Sequence, residues 1–224
     1  MNHLYLRKFA LMESFIISIV IFTAVLLIAY RRNSLRLLNP DSALGSPSLL
    51  ILLNVTGILV FGLLPLLYFP LPQLFPAETG ILKWPSLAGL VLLTSGFAYF
   101  IADKDLRQNK VEVHPTLQGS GFLSLYFTVR IAFIATYEIW FRGFFLFFCM
   151  EQFGTFNAVA INVVLYVLLH AVNGKREMLS CIPFGILLCA MAIWFESPLA
   201  AVLIHLALTV PYDIQFVRIK SRMR

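Results

Sequence analysis

Seven long apolar runs, separated by short polar or basic segments, constrain this chain more than any other feature. They cover Ser14 to Tyr30, Ser46 to Phe69, Trp84 to Ala102, Gly121 to Gln152, Phe156 to Val172, Met178 to Phe195 and Ser197 to Val217. All but the fourth have the length an α-helix needs to cross a hydrocarbon core, about 17 to 25 residues. In lipid a segment must satisfy its own backbone polar groups, so such runs fold as helices. The expected fold is all-α, a polytopic transmembrane bundle of about seven spans. Composition agrees, because 60% of the 224 residues are hydrophobic and 12% are charged, against about 25% charged in a soluble domain. A water-soluble fold is excluded.

The first run is followed at once by Arg31 and Arg32 without a small-residue cleavage site, which reads as a retained helix rather than a signal peptide. The fourth, at 32 residues, would rise about 48 Å against a core of about 30 Å. It holds no proline and no turn cluster, only Gly143, so one long helix is expected rather than a hairpin. Charge supports that parity. With seven spans and a cytoplasmic C-terminus, the inside carries Arg31, Arg32, Arg36, Lys104, Arg107, Lys110, Lys175, Arg176, Arg218, Lys220, Arg222 and Arg224, and the outside Arg7, Lys8 and Lys83. Twelve against three is the bias that orients membrane proteins.

The formal charge of +6 therefore reports orientation in a lipid bilayer, and nothing resembles a nucleic-acid module. Cys149, Cys181 and Cys189 lie inside apolar runs without metal spacing and read as small buried hydrophobes. The chain divides into residues 1–120, a scaffold of three spans, and residues 121–224, a core of four spans. The scaffold runs hold only scattered Ser, Thr and Asn.

The core is different. Run four carries Arg130, Glu138 and Arg142; run five carries Asn162, Tyr166 and His170; run seven carries His205, Thr209 and Asp213. Members of each set fall four or eight residues apart, so each helix bears one polar stripe facing its neighbours rather than lipid. An ionisable group at mid-membrane costs from about 2.5 to more than 10 kcal/mol, so such groups mark partners or a task. Counting at about 1.5 Å per residue from the outer ends puts Glu138 and His170 roughly 21 Å deep, Thr209 about 18 Å and His205 about 12 Å. The expected pocket lies in the cytoplasmic half of the membrane. Arg130 and Asp213, near the span ends, read as packing or snorkelling residues.

The motifs Glu138-Ile-Trp-Phe-Arg142-Gly143, Tyr166-Val-Leu-Leu-His170 and His205 four residues before Thr209 resemble, in that order, the CPBP family of Abi or CAAX-protease-like intramembrane endopeptidases. The stretch from Phe184-Gly185 through Ser197-Pro198 to His205 is similar to the family's segment before its last histidine, and the likeness covers about the last hundred residues. The family pattern has Glu-Glu-x-x-x-Arg, Phe-x-x-x-His and His-x-x-x-Asn; this chain has Tyr137 at the first glutamate, Tyr166 at the phenylalanine and Thr209 at the asparagine.

The resemblance implies a metal-independent glutamate protease acting on a membrane-associated peptide or protein, in a bacterial cytoplasmic membrane. Its implied catalytic set is Glu138, Arg142, His170, His205 and Thr209. Glu138, alone or with His170, would activate water, Arg142 would orient or balance Glu138, and His205 with Thr209 would stabilise the oxyanion. No cofactor is expected. Two histidines and a glutamate also make a conceivable zinc set, though no His-Glu-x-x-His motif is present. Two other classes stay open from the residues alone: a catalytically inactive relative with a binding or bacteriocin-immunity role, and an ion-coupled transporter.

Overall fold

A computed structural model of the chain describes residues 2–35, 46–67, 83–108 and 120–222. Arg36, Phe69, Lys110, Arg224 and residues 109–119 of the polar connection lie outside the described residues. The described residues form helices joined by turns, with no strand among them: α1 (Asn2–Arg31), α2 (Pro47–Leu66), α3 (Lys83–Gln108), α4 (Ser120–Glu138), α5 (Leu146–His170), α6 (Lys175–Phe195) and α7 (Leu199–Arg222). Five helical stretches are long and apolar enough to cross a membrane: Met12–Arg31, Pro47–Leu66, Lys83–Asp105, Gly121–Asn173 and Lys175–Phe195; Leu199–Gln215 is a shorter apolar helix. The molecule is an all-α integral membrane protein.

The breaks between helices have local causes. Ser46 accepts a hydrogen bond from Leu49 N at the start of α2, where Pro47 takes the first helical position. The backbone N–H of Ser46 donates in turn to Ser34 Oγ at 2.8 Å, tying the end of α1 to α2. Glu196 stops α6 in the left-handed region, with Ser197 N donating to Ala192 O at 3.0 Å.

The 53-residue stretch Gly121–Asn173 is broken inside α5 at Gly154, with φ 77 and ψ 165. The runs 121–152 and 156–172 are thus separate legs. That backbone region is open to glycine and nearly closed to other residues. Gly154→Ala is expected to destabilise the fold by about 1–3 kcal/mol, read as a lower midpoint of unfolding in detergent. An unchanged midpoint would show that the break does not need glycine.

Ser120 to Gly154 is otherwise one helical course, as the sequence suggests, but with a twist. Between α4 and α5 the stretch Ile139–Phe145 is π-helical, with hydrogen bonds reaching five residues back instead of four. Such turns are uncommon and concentrate at functional sites. A second one, Ile58–Leu63, lies within α2 and packs near the first.

Side chains sort as lipid requires. Ile16, Ile17 and Val20 of α1, Leu92, Leu93 and Phe97 of α3, and Val164 and Leu168 of α5 are exposed apolar groups. The centre is aromatic: Phe15, Phe22, Phe61, Tyr137, Trp140, Phe141, Phe144 and Tyr166 are buried in one cluster. Phe61 of α2 meets Tyr137 edge-on at 5.4 Å and Trp140 at 5.1 Å, so the N-terminal helices back directly onto the π-helical turn. On the other side α3 packs along α7 and α6 against both α5 and α7. Leu87, Leu188, Phe195, Ala201 and Ile204 fill that seam.

Candidate active site

Glu138 ends α4, and Arg142 lies four residues on within the π-helical turn; both side chains have 0% exposure. Arg142 Nη1 donates to Glu138 Oε1 at 3.3 Å and lies 3.1 Å from Oε2, off the hydrogen-bonding direction for the latter. From α7, His205 Nδ1 approaches Glu138 Oε1 at 2.5 Å. Its Nδ1–H faces the carboxylate, so the carboxylate orients the ring. One oxygen of Glu138 is thereby held from two sides while the other, Oε2, makes no hydrogen bond. A charge pair removed from water persists only with close geometry and added hydrogen bonds, and this site supplies both to Oε1.

The guanidinium lies against an aromatic wall, its Cζ 4.4 Å from the Tyr166 ring centre and 5.3 Å from that of Phe141. Gly185 of α6 makes that arrangement fit, because a side chain there would begin 3.1 Å from the Tyr166 ring and 3.7 Å from Arg142 Nη2.

Asn162 holds the turn from α5. Its Nδ2 donates to Phe141 O at 2.7 Å, and its Oδ1 accepts from Cys189 Sγ at 3.3 Å. Phe141 O also accepts the backbone N–H of Leu146, so a fully buried amide braces the π-helical turn that carries Arg142.

The remaining candidates stand farther from the carboxylate. His170 Nδ1 donates to Tyr166 O of its own helix at 2.9 Å, which leaves Nε2 free to accept. Its ring packs on Tyr166 at 4.4 Å, and the His205 ring meets the same tyrosine at 6.5 Å. Tyr166 thus stands between the two histidines, and it is His205, not His170, that touches Glu138. Thr209 lies one turn beyond His205, half-buried.

Arg130 and Asp213 face each other between α4 and α7 at 3.8 Å, and Tyr126 donates to Asp213 Oδ2 at 2.9 Å. Nearby, Asp105 of α3 takes Arg176 at 3.2 Å and Tyr212 at 3.1 Å. These groups fasten α4 to α7, and α3 to α6 and α7, a packing role for Arg130 and Asp213.

Residues 119–210 match the family model described as Type II CAAX prenyl endopeptidase Rce1-like. The similarity covers less than half of the chain, within its C-terminal part. No curated protein and no solved structure matches the chain. Glu138, Arg142, His170, His205 and Thr209 all fall inside the CAAX-protease-like segment, as do Tyr137, Asn162 and Tyr166, whereas Asp213 falls outside it.

Asn162 and Tyr166 lie on the polar stripe of α5 outside the implied catalytic set, and their spacing of eight and four residues from His170 is the signal they give in the sequence. Cys189 and Phe61 gave none, because inside an apolar run a site residue and a packing residue look the same.

Proposed function

We propose that this protein is an intramembrane endopeptidase that hydrolyses a peptide bond of a membrane-associated substrate, with Glu138 as the base that activates water. One observation carries the reading. Among the described residues, seven buried side-chain polar atoms lack a hydrogen-bond partner, and four of them belong to Tyr137, Glu138 and Arg142: Tyr137 Oη, Glu138 Oε2, and Arg142 Nε and Nη2. Leaving such groups unpaired costs about 1–3 kcal/mol each. Concentrated within six consecutive residues, they make a surface with one free acceptor and several free donors. A water and a peptide carbonyl complement that surface.

Glu138 Oε2 would take a proton from water while the hydroxide oxygen attacks the carbonyl carbon. The C–N bond then breaks and the same proton passes to the amine nitrogen. His205 holds the carboxylate through Oε1 and Arg142 lies across both oxygens, so the base is fixed before substrate arrives.

The donor set does not suit zinc. Glu138 is already engaged by a guanidinium that opposes a divalent cation. The reaction we propose is metal-independent, with the pocket opening toward the cytoplasm as the twelve-to-three charge bias favours.

The test is cleavage by purified protein in proteoliposomes made in ¹⁸O-water, offered membrane-tethered peptides with and without a prenylated C-terminal cysteine motif. The expected result is ¹⁸O at the new C-terminus, in the presence or absence of 1,10-phenanthroline. Absence of cleavage across the panel would overturn the reading, and loss with the chelator would overturn its metal-free form.

Tyr137, where the family pattern has a glutamate, favours a second reading: a relative that binds peptide without cutting it, in an immunity or regulatory role. Under that reading Tyr137→Glu with Thr209→Asn creates activity that the unaltered chain lacks.

A further inference from the structure

We infer that the Tyr137 hydroxyl is itself a catalytic group, the hydrogen-bond donor to the scissile carbonyl oxygen and to the oxyanion formed from it. The inference rests on the hydrolytic reading above and adds to it a role for the residue at which this chain departs from the family pattern.

The tyrosine is buried, and its ring sits among apolar and aromatic neighbours: Phe141 at 4.5 Å, Phe61 at 5.4 Å, Phe133 at 5.6 Å, Tyr166 at 6.2 Å and His205 at 6.4 Å. Phenylalanine would satisfy those contacts equally well. The hydroxyl adds nothing to them and has no hydrogen-bond partner, so in the resting protein it weakens the fold. Its ring stands 6.4 Å from that of His205, the histidine that touches Glu138. A phenol held this way is a buried donor without an acceptor, on the residue that precedes Glu138.

The groups that the resemblance assigns to the oxyanion are less well placed here. His205 Nδ1 is committed to Glu138, and Thr209 offers a single hydroxyl one turn farther along α7. The Tyr137 phenol lies on the residue preceding the base. When water attacks, the carbonyl π pair moves onto oxygen, which accepts the phenolic O–H; Tyr137 keeps its proton throughout. The water proton goes to Glu138 Oε2 and leaves with the amine, so no further reactant is needed. A donor that meets its acceptor fully only as charge develops lowers the barrier rather than tightening ground-state binding.

The test compares wild type, Glu138→Gln and Tyr137→Phe in the proteoliposome assay, with unfolding midpoints measured in parallel. Tyr137→Phe is expected to unfold at the same or a higher temperature, to keep KM, and to lose kcat by about 10²-fold or more. Replacing Tyr137 by 3-fluoro- and 3,5-difluorotyrosine is expected to change kcat in step with phenol acidity, a response that a packing role does not give. Wild-type cleavage lost in Glu138→Gln but unchanged in Tyr137→Phe overturns this inference alone. A higher kcat in Tyr137→Glu than in wild type also overturns it. If wild type and Glu138→Gln are equally inactive, the hydrolytic reading fails and the role of Tyr137 falls with it.

Discussion

Glu138→Gln is expected to lower turnover by about 10²- to 10⁴-fold, the range a general base contributes, with KM little changed and the protein still folded. Glutamine preserves the shape of the side chain and can still present an oxygen to Arg142 and His205, whose contacts at 3.3 Å and 2.5 Å hold the native carboxylate. What it cannot do is accept a proton at the position of Oε2. Single-turnover cleavage in proteoliposomes isolates that step from substrate entry. Glu138→Asp is the informative companion, since it keeps the base but withdraws it by one methylene from both partners; an intermediate rate is expected. Full activity in Glu138→Gln would take the base away from Glu138 and leave its buried pairing as a structural device. His205→Ala should fall between, because it frees Oε1 on one side without removing the carboxylate.

The fold was legible because lipid imposes a simple code. A helix that crosses the membrane must be long and apolar, and its stops must be polar, glycine or cationic, so the break at Gly154 and the separation of α6 from α7 could be read from residue type. The π-helical turns could not. They depend on what packs around Phe141 and Phe61, and on an amide from Asn162 that reaches the turn from another helix, and such cross-helix contacts leave no period in the sequence.

Within the site, the Glu138–Arg142 pair followed from its four-residue spacing, which places side chains on one helical face. The contact of His205 with Glu138 did not follow from depth. Counting residues along upright α-helices put them about 9 Å apart in the membrane, yet Nδ1 and Oε1 lie at 2.5 Å. The count assumes uniform rise and no tilt, and the π-helical turn directly after Glu138 violates the first assumption. His170, counted at the same depth as Glu138, turns its Nδ1 to its own backbone instead. Depth was therefore too coarse to assign partners. The resemblance supplied the residue set, and only packing showed which histidine meets the carboxylate.

The largest stability effect is expected from the ion pair. Arg142→Leu should destabilise the protein by about 3–5 kcal/mol, because it leaves the Glu138 carboxylate at 0% exposure without its guanidinium. Glu138→Leu should cost a similar amount by stranding the cation against Tyr166 and Phe141. The double variant Glu138→Leu/Arg142→Leu should be more stable than either single one, since both desolvation penalties disappear together and leucines suit the surrounding aromatic packing. Reversible unfolding in mixed micelles measures the cycle, and its coupling energy should be large and favourable to the native pair. Strictly additive single effects would mean that the two side chains do not share one desolvated site. That result would also remove the physical basis for a carboxylate base poised by Arg142.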